Sequence, residues 1–429
     1  MAIARLRPSI DRPCLGSLHP LACLVLAVAD HATHAHEWHR QDSGTIPPPS
    51  DAVFTIPAEA GPAPANATAV AERAEAFSAF HPLVRVRWDD DWFYVESDGM
   101  PNHGMMTGIT SWQQQVGVPQ YYYGDNAWQI PLNPQLSDNP ISSDNNLFRG
   151  AIALAVNGVP IFNALNNRGE DAFLFGELDQ WGGHAGRADD YHYHAAPTNL
   201  QDIVGADQPI AFALDGYPLY GLLEPDGSPV TGLDAYNGHL DGNGGYHYHS
   251  THTYPYMNGG LRGVASVVGG QVDPQPRTRE LRPALTPLNG AVITAYESPA
   301  DDHYAISYTL NGQVHQVHWS VDRGAETVTY TFIGAGGGSN AQTYPNWQPA
   351  PGLADASLSA SRSASGYLRC IMVGEPGMGY PFGYTTDLQA WARFGFLQLD
   401  DTGSVSFELN PVGARGFLRE GGGEAFTGE

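Results

Sequence analysis

Apolar positions alternate with polar ones in short runs separated by Gly, Pro, Asn and Asp, the pattern of half-buried strands joined by tight turns. Residues 83–88 and 92–96 alternate in this way, with Asp89-Asp90-Asp91 as the turn between them. Residues 108–115 and 127–131 read as further strands. One stretch has helical spacing instead, residues 67–80, and it ends before Pro82. Farther on, residues 291–297, 304–310, 313–321 and 327–333 alternate as a β-meander, with Asn311-Gly312 closing its middle hairpin. His315 and His318 are three apart on one of these strands, so they face opposite sides and read as structural.

The longest pattern is written twice. Ile152-Ala-Leu-Ala-Val-Asn-Gly-Val-Pro-Ile-Phe162 lines up with Ile210-Ala-Phe-Ala-Leu-Asp-Gly-Tyr-Pro-Leu-Tyr220, an offset of 58 residues. Each copy predicts a strand, an Asn-Gly or Asp-Gly turn with positive φ at both turn residues, and a returning strand. Pro160 and Pro218 sit early in the returning strands, which predicts an edge or a non-bonded position. Downstream, each copy continues as Leu-Asp-x-aromatic-x-Gly-His, six residues, then Tyr-His-Tyr-His. The first ends in Tyr191-His192-Tyr193-His194 and the second in Tyr246-His247-Tyr248-His249, an offset of 55. We read residues 150–200 and 208–256 as two copies of one unit, and two copies in one domain suggest a pseudo-twofold arrangement.

The fold class expected is therefore mainly β. Tandem-duplicated hairpin units form a central domain (81–280), a meander follows (281–335) and packs on it, and a small β module (366–429) closes the chain. Residues 336–365, rich in Gly, Ser and Ala, read as linker, and 36–80 as a Pro/Ala-rich arm ending in the short helix. Residues 1–35 read as a secretory signal: Arg5, Arg7 and Arg12 precede an apolar core at 21–29, and small residues permit cleavage after Ala29 or Ala35. The protein is then expected to be secreted, or held in the periplasm or cell envelope. The apolar run is too short to span a bilayer. His31, His34, His36 and His39 cluster around the cleavage sites, as His-rich unstructured tails do.

Charge removes several functions. With 20 basic residues against 45 acidic ones, the net charge is -25, which disfavours nucleic acid and anionic lipid as partners. Every basic residue is Arg. Without Lys, Schiff-base chemistry, covalent pyridoxal phosphate and a P-loop lysine are excluded. No Gly-x-Ser-x-Gly elbow is present. Once Cys14 and Cys23 leave with the signal, Cys370 is the sole cysteine and no internal disulfide is expected.

What remains is histidine, 17 residues in all. On a strand, residues two apart share a face, so His192 projects with His194 and His247 with His249, while the tyrosines face the other way. His184 and His239 can fold back across Gly186 and Gly242-Asn-Gly-Gly245 to supply a third imidazole each. Three neutral imidazoles suit a divalent transition metal, Zn or Cu foremost, and three His with one open position is the donor set of hydrolytic zinc centres. Asp179 and Asp234, at matching positions, and Asp189, Asp190 and Asp215 are candidates to orient the imidazoles from behind. Both copies can share one site on the pseudo-twofold axis or hold one each; the shared site is the arrangement we favour from sequence.

The chain resembles the YHYH-domain proteins from about residue 88 to about 277. The segments that carry the resemblance are Pro101-Asn-His-Gly-Met-Met106, Arg149-Gly-Ala-Ile-Ala-Leu154, Gly176-Glu-Leu-Asp-Gln-Trp-Gly-Gly-His184, Arg187-Ala-Asp-Asp-Tyr-His-Tyr-His194, Leu214-Asp-Gly-Tyr-Pro-Leu-Tyr-Gly221 and Gln271-Val-Asp-Pro-Gln-Pro276. The family implies export and brings no settled activity. Many members carry Cys where this chain has Ala185 and Tyr236, and the joint loss implies a cross-repeat disulfide in those members rather than metal ligands. A cupin opening, Gly186, five residues, His192-x-His194, lacks its Glu, with Thr198 and Asn199 in that place. Tyr384-Thr-Thr-Asp-Leu-Gln-Ala-Trp391 and the strands after it resemble the small C-terminal β modules of secreted bacterial proteins.

Two functions of different class follow: a metal-binding protein, with the His cluster as the centre of a metal-dependent reaction, or a non-catalytic surface or structural β protein whose histidines are hydrogen-bonded core residues. Asp215, His103 and the acidic pairs are the available groups for acid–base work near the cluster.

Overall fold

The structure, a computed structural model, describes residues 24–27, 54–55, 67–352, 356–362, 368–385, 392–409 and 415–420. The expected signal and its His cluster lie outside the described residues except for Leu24–Ala27, a short strand. The arm up to residue 66 lies outside them except for Phe54–Thr55. The chain divides into two compact units, Thr68–Gly352 and a second formed by Met1–Ala67 with Leu353–Glu429. The protein is mainly β. No helix among the described residues is long and apolar enough to cross a membrane.

In the larger unit the helix Ala67–Ser78 buries Val70, Ala74 and Phe77. Phe77 stacks on Phe93 and Phe212 at ring separations of 5.9 and 5.6 Å, so the helix clamps the first strands to the central sheet. Arg73, buried, donates to the carbonyls of Pro131 and Gly216 across the same seam. Arg85–Trp88, Trp92–Glu96 and Trp128–Pro131 pair antiparallel in succession. The Asp89 carboxylate accepts the amides of Asp91 and Trp92, which makes the acidic triplet a tight turn. The strand expected at 108–115 does not form. Gly108 and Gln114 take positive φ there, and Ile109 and Trp112 are buried from successive turns, so the apolar alternation reflects irregular packing.

The core of this unit is an eight-stranded sheet. Its strands are β1 (Ala151–Ala155), β2 (Pro160–Phe162), β3 (Gly183–Ala185), β4 (Tyr191–Tyr193), β5 (Ala211–Ala213), β6 (Pro218–Tyr220), β7 (Gly238–Leu240) and β8 (Tyr246–His249). They lie in the order β7-β8-β6-β5-β1-β2-β4-β3. The order is the same from either edge once each strand is exchanged for its counterpart. Its centre is the antiparallel pair β1–β5, where Leu154 stands opposite its own counterpart Phe212. Registered in this way, Ala153 and Ala155 face Ala213 and Ala211, and small side chains let the two halves close over the axis.

Both hairpins form, but with a different turn from that expected. Gly158 donates to the Ala155 carbonyl and Ala155 to that of Val159; Gly216 and Ala213 repeat this with Ala213 and Tyr217. Positive φ falls only on Gly158 and Gly216, so each loop is a type I turn closed by a left-handed glycine bulge. The two-residue turn with both φ positive occurs at Asn311-Gly312 in the meander instead. Pro160 and Pro218 lie in interior strands, not at an edge, because β2 and β6 each pair parallel with a Tyr-His-Tyr-His strand on the other side. Each proline opens its strand, where the missing N–H costs least.

The meander has five strands, Val292–Ala300, His303–Leu310, Gln313–Asp322, Thr327–Ile333 and Ser339–Pro345. The last lies within the stretch expected to be linker. Six of its seven residues are exposed and most are polar, so it carries no alternation to read and is held by backbone pairing to Thr327–Ile333. Trp319 and Trp347 donate their indole N–H groups to the carbonyls of Gly117 and Pro119, fixing the meander to the segment that borders β4.

The smaller unit pairs Ser357–Arg362, also in the expected linker, with Leu368–Val373, which pairs with Ser404–Leu409. Gly379–Thr385 pairs with Ala392–Gln398 and Arg415–Glu420. Cys370, Met372, Tyr380, Phe382 and Phe407 form its core. Burial pushes the Cys370 thiol up to about 12, so it is an inert core residue. Residues 386–391 of the motif that begins at Tyr384 lie outside the described residues.

Candidate metal centres

The six histidines assemble as two triplets at opposite edges of the central sheet. In the first unit β3 and β4 form a hairpin that sets His184 directly opposite His192. The loop turns on Asp189, at φ 57, a conformation that glycine Gly244 takes at the matching place in the second unit. Asp189 is held in that shape by a buried ion pair with Arg282, at 2.6 and 2.7 Å, and by the Tyr330 hydroxyl at 2.8 Å. In the second unit β7 and β8 set His239 opposite His247. The expected shared site does not form, because β4 and β8 are separated by the four strands around the axis. The two positions Ala185 and Tyr236 also lie at opposite edges, seven strand spacings of about 4.8 Å apart along the sheet. A disulfide between them would not fit this fold.

In the first triplet His192 Nε2 lies 3.1 Å from His194 Nε2, which lies 3.2 Å from His184 Nε2. The other ring nitrogens are committed to backbone carbonyls. His192 Nδ1 donates to Asp190 at 2.9 Å, His194 Nδ1 to Asn163, and His184 to Glu177. A carbonyl can only accept, so each ring carries its proton on the carbonyl side and presents a bare Nε2 lone pair to the other two. Three lone pairs at this distance repel unless a cation lies between them. Adjacent ligands of a tetrahedral zinc with Zn–N near 2.05 Å are about 3.3 Å apart, close to the observed spacing.

Burial, helped by His192, holds His194 down at about 3, and burial with His192 and His194 holds His184 well below 6.5. Both are therefore neutral imidazoles throughout the physiological range. The Phe162 ring lies on His192 at 4.0 Å and nearly parallel to it, which closes one side of the triplet.

The second triplet is built alike and ends differently. His249 Nδ1 faces the Gly221 carbonyl, the counterpart of Asn163, and His239 Nδ1 that of Thr231. His239 Nε2 and His247 Nε2 are 2.9 Å apart. A carboxylate joins them: Glu224 oxygens lie 3.2 Å from His239, 3.4 Å from His247 and 3.2 Å from His249. His249 Nε2 is buried and, although near Glu224, makes no hydrogen bond of good geometry among the described residues. Burial lowers His247 and His249, against the pull of Glu224. These ligand atoms, like those of the first triplet, all lie within 4.8 Å of one another.

The family model described as YHYH protein matches residues 127–227. The chain carries a domain of the YHYH family. No curated protein matches the chain, and no solved structure does. The matched span contains the whole first triplet together with Glu224, and it ends before His239, His247 and His249.

The side-chain carboxylates expected to orient the imidazoles, those of Asp179, Asp189, Asp190, Asp215 and Asp234, accept no bond from them. Three of them, Asp179, Asp215 and Asp234, hold the motif tyrosines. Tyr191 donates to Asp179 and Tyr246 to Asp234, at 2.8 and 2.9 Å. Tyr193 meets Asn157 and Tyr248 meets Asp215, so the second tyrosine of each motif bonds the turn residue of its own hairpin. A carboxylate beside the imidazoles would have to share their face, whereas these loops cross the tyrosine face. Asp179 also accepts the amides of Met106, Trp181 and Gly183, yet burial still raises it. His103 belongs to this face too, 2.7 Å from the Tyr193 hydroxyl and stacked on Trp181. Asp190 alone approaches an imidazole, 3.6 Å from His192 Nδ1, and it is Asp190's carbonyl that takes the bond.

Glu224 is the residue that sequence reasoning missed. Extending the offset of 58 past the hairpins would have found it: Gly169 and Gly227 both turn at positive φ, and the same alignment sets Glu224 against Asn166.

Proposed function

We propose that the chain binds two transition-metal ions, one at each triplet, and that the two ions have different roles. The observation that carries this reading is the convergence of Nε2 lone pairs whose rings are fixed from behind by carbonyl acceptors. At the second site Glu224 completes a set of three nitrogens and one oxygen, the closed four-ligand arrangement of a structural zinc centre. At the first site the matching residue is Asn166. Its amide donates to Glu170 and Glu177, and among the described residues no fourth ligand joins the three imidazoles, which would leave a metal held there one position for water or substrate. That position opens on a cavity of about 700 Å³ lined by His184, His192 and His194. A metal held there supplies Lewis acidity and lowers the pKa of a water it binds. We therefore take the first site as the reaction centre of a metal-dependent enzyme and the second as a clasp that fixes the β7–β8 edge. The basic and apolar N-terminal sequence supports a role outside the cytoplasm.

Elemental analysis of the purified full chain, with His192→Ala and His247→Ala, tests the reading. Two equivalents of Zn or Cu are expected, and each variant should lose one. A chain that binds no transition metal under any loading would leave the histidines as hydrogen-bonded core residues. A single equivalent lost in both variants would overturn the two-site reading. The closed second site also favours a narrower alternative, in which both ions are structural. Co substitution separates the two, since an open position gives a spectrum that responds to added anions.

A further inference from the structure

The cavity over the first triplet is lined by Arg149, Arg168, Arg187 and Arg277, against Glu177, Asp190 and Glu280. Four cations to three anions inverts the balance of a chain with 20 basic and 45 acidic residues. Two of the arginines are already engaged. Arg168 pairs with Glu170 and Glu177, and Arg187 with Glu280 at 2.8 Å. Arg149 and Arg277 have no side-chain partner among the described residues, while the backbone around each is firmly held.

Gln275 ties the two segments together. Its side-chain oxygen accepts the Ala151 amide at 2.9 Å, and its NH2 group donates to the Val272 carbonyl at 2.6 Å. Gly150, between Arg149 and Ala151, has φ +68, and a Cβ there would lie 2.3 Å from the Gln275 oxygen. Only glycine permits that approach. Asn126 then brackets Arg277, accepting its N–H at 3.0 Å and donating to its carbonyl at 3.2 Å. Both arginines are exposed, but amide clasps fix the backbone at each and both line one cavity, so two unpaired guanidinium groups are kept beside the same space.

We propose that Arg149 and Arg277 bind the oxyanion end, carboxylate or phosphate, of a small substrate whose reacting group lies at the His184 centre. This rests on the metal reading of the first triplet. Phe162, stacked on His192, and Trp112 line the same cavity and offer apolar surface to the body of such a molecule. In a chain of net charge -25, a cavity lined by more cations than anions favours the approach of an anion there.

The test is calorimetric titration of inorganic phosphate, and separately of malonate, into the zinc-loaded full chain. One anion per chain is expected to bind, and the preferred probe tells phosphate from carboxylate. Arg149→Gln with Arg277→Gln should weaken that binding by at least about tenfold, with zinc content and circular dichroism unchanged. The paired Lys variants should retain part of it, since charge persists while the fork is lost. Unchanged affinity in the Gln pair, or no binding of either probe to a chain that holds its zinc, overturns the proposal. Should the wild-type chain take no zinc, the metal reading fails by itself; the same titrations on the metal-free chain then decide the arginine pair, which falls if the Gln variant matches the wild type.

Discussion

Asn166 and Glu224 hold the same place in the two halves of the central sheet, and only Glu224 brings a carboxylate to three imidazoles. Each follows a bridge between equivalent residues, Leu165 with Asp171 and Leu223 with Pro229. Glu224→Gln is expected to weaken metal at the second site by at least about tenfold, because a carboxylate ligand becomes a neutral amide. Metal content after dialysis should fall from two equivalents to one, with His184, His192 and His194 still loaded. Retention of both equivalents would show that Glu224 is a bystander.

Acidification should destabilise the metal-free chain. Burial holds His194 at about 3 and His184 well below 6.5, so below 6.5 the unfolded chain takes up protons that the folded chain refuses. Stability is then complete above pH 6.5 and declines as pH falls towards 3, by about 1.4 kcal/mol per histidine for each pH unit. Urea midpoints at pH 7.5 and 5.0 in the presence of a chelator measure it. A flat profile would argue against buried neutral imidazoles.

Arg282→Met should cost about 3–5 kcal/mol, since it leaves the Asp189 carboxylate buried and unpaired. Arg282 donates twice to Asp189 and lies 4.1 Å over the Tyr330 ring. Adding Asp189→Asn should recover part of the loss, and chemical denaturation of the four chains closes the cycle. Additive costs would mean that the pair is not coupled.

Tyr248→Phe removes one of two strong donors to Asp215, whose carboxyl is fully buried and raised by that burial. A loss of about 1–3 kcal/mol is expected. Asp215→Asn in the same chain should recover part of that loss, because Asn157 already fills the matching place in the other half. Thermal denaturation of the two variants beside the wild type decides it.

Much of this fold was legible because alternation and turn chemistry are local. The strand at residues 92–96, the hairpins from Ile152 and Ile210, and both histidine triplets followed from spacing alone. What escaped depended on distant partners. Whether the triplets would meet was set by the β1–β5 register, which no periodicity encodes. Tyrosine, not histidine, captured the carboxylates, because Asp179 and Asp234 reach the sheet from loops on its other face. Ser339–Pro345 is a strand only because Thr327–Ile333 offers it an edge. Trp112 and Ile109 mimicked strand alternation while being buried from turns.

The axis at Leu154 and Phe212 has one more consequence. In a homodimer built on such an axis, every substitution appears twice, so both centres must change together. Here the two halves are written separately in one chain. One can acquire a carboxylate at Glu224 while the other keeps an amide at Asn166, and the sheet between them holds two unlike centres at a fixed separation.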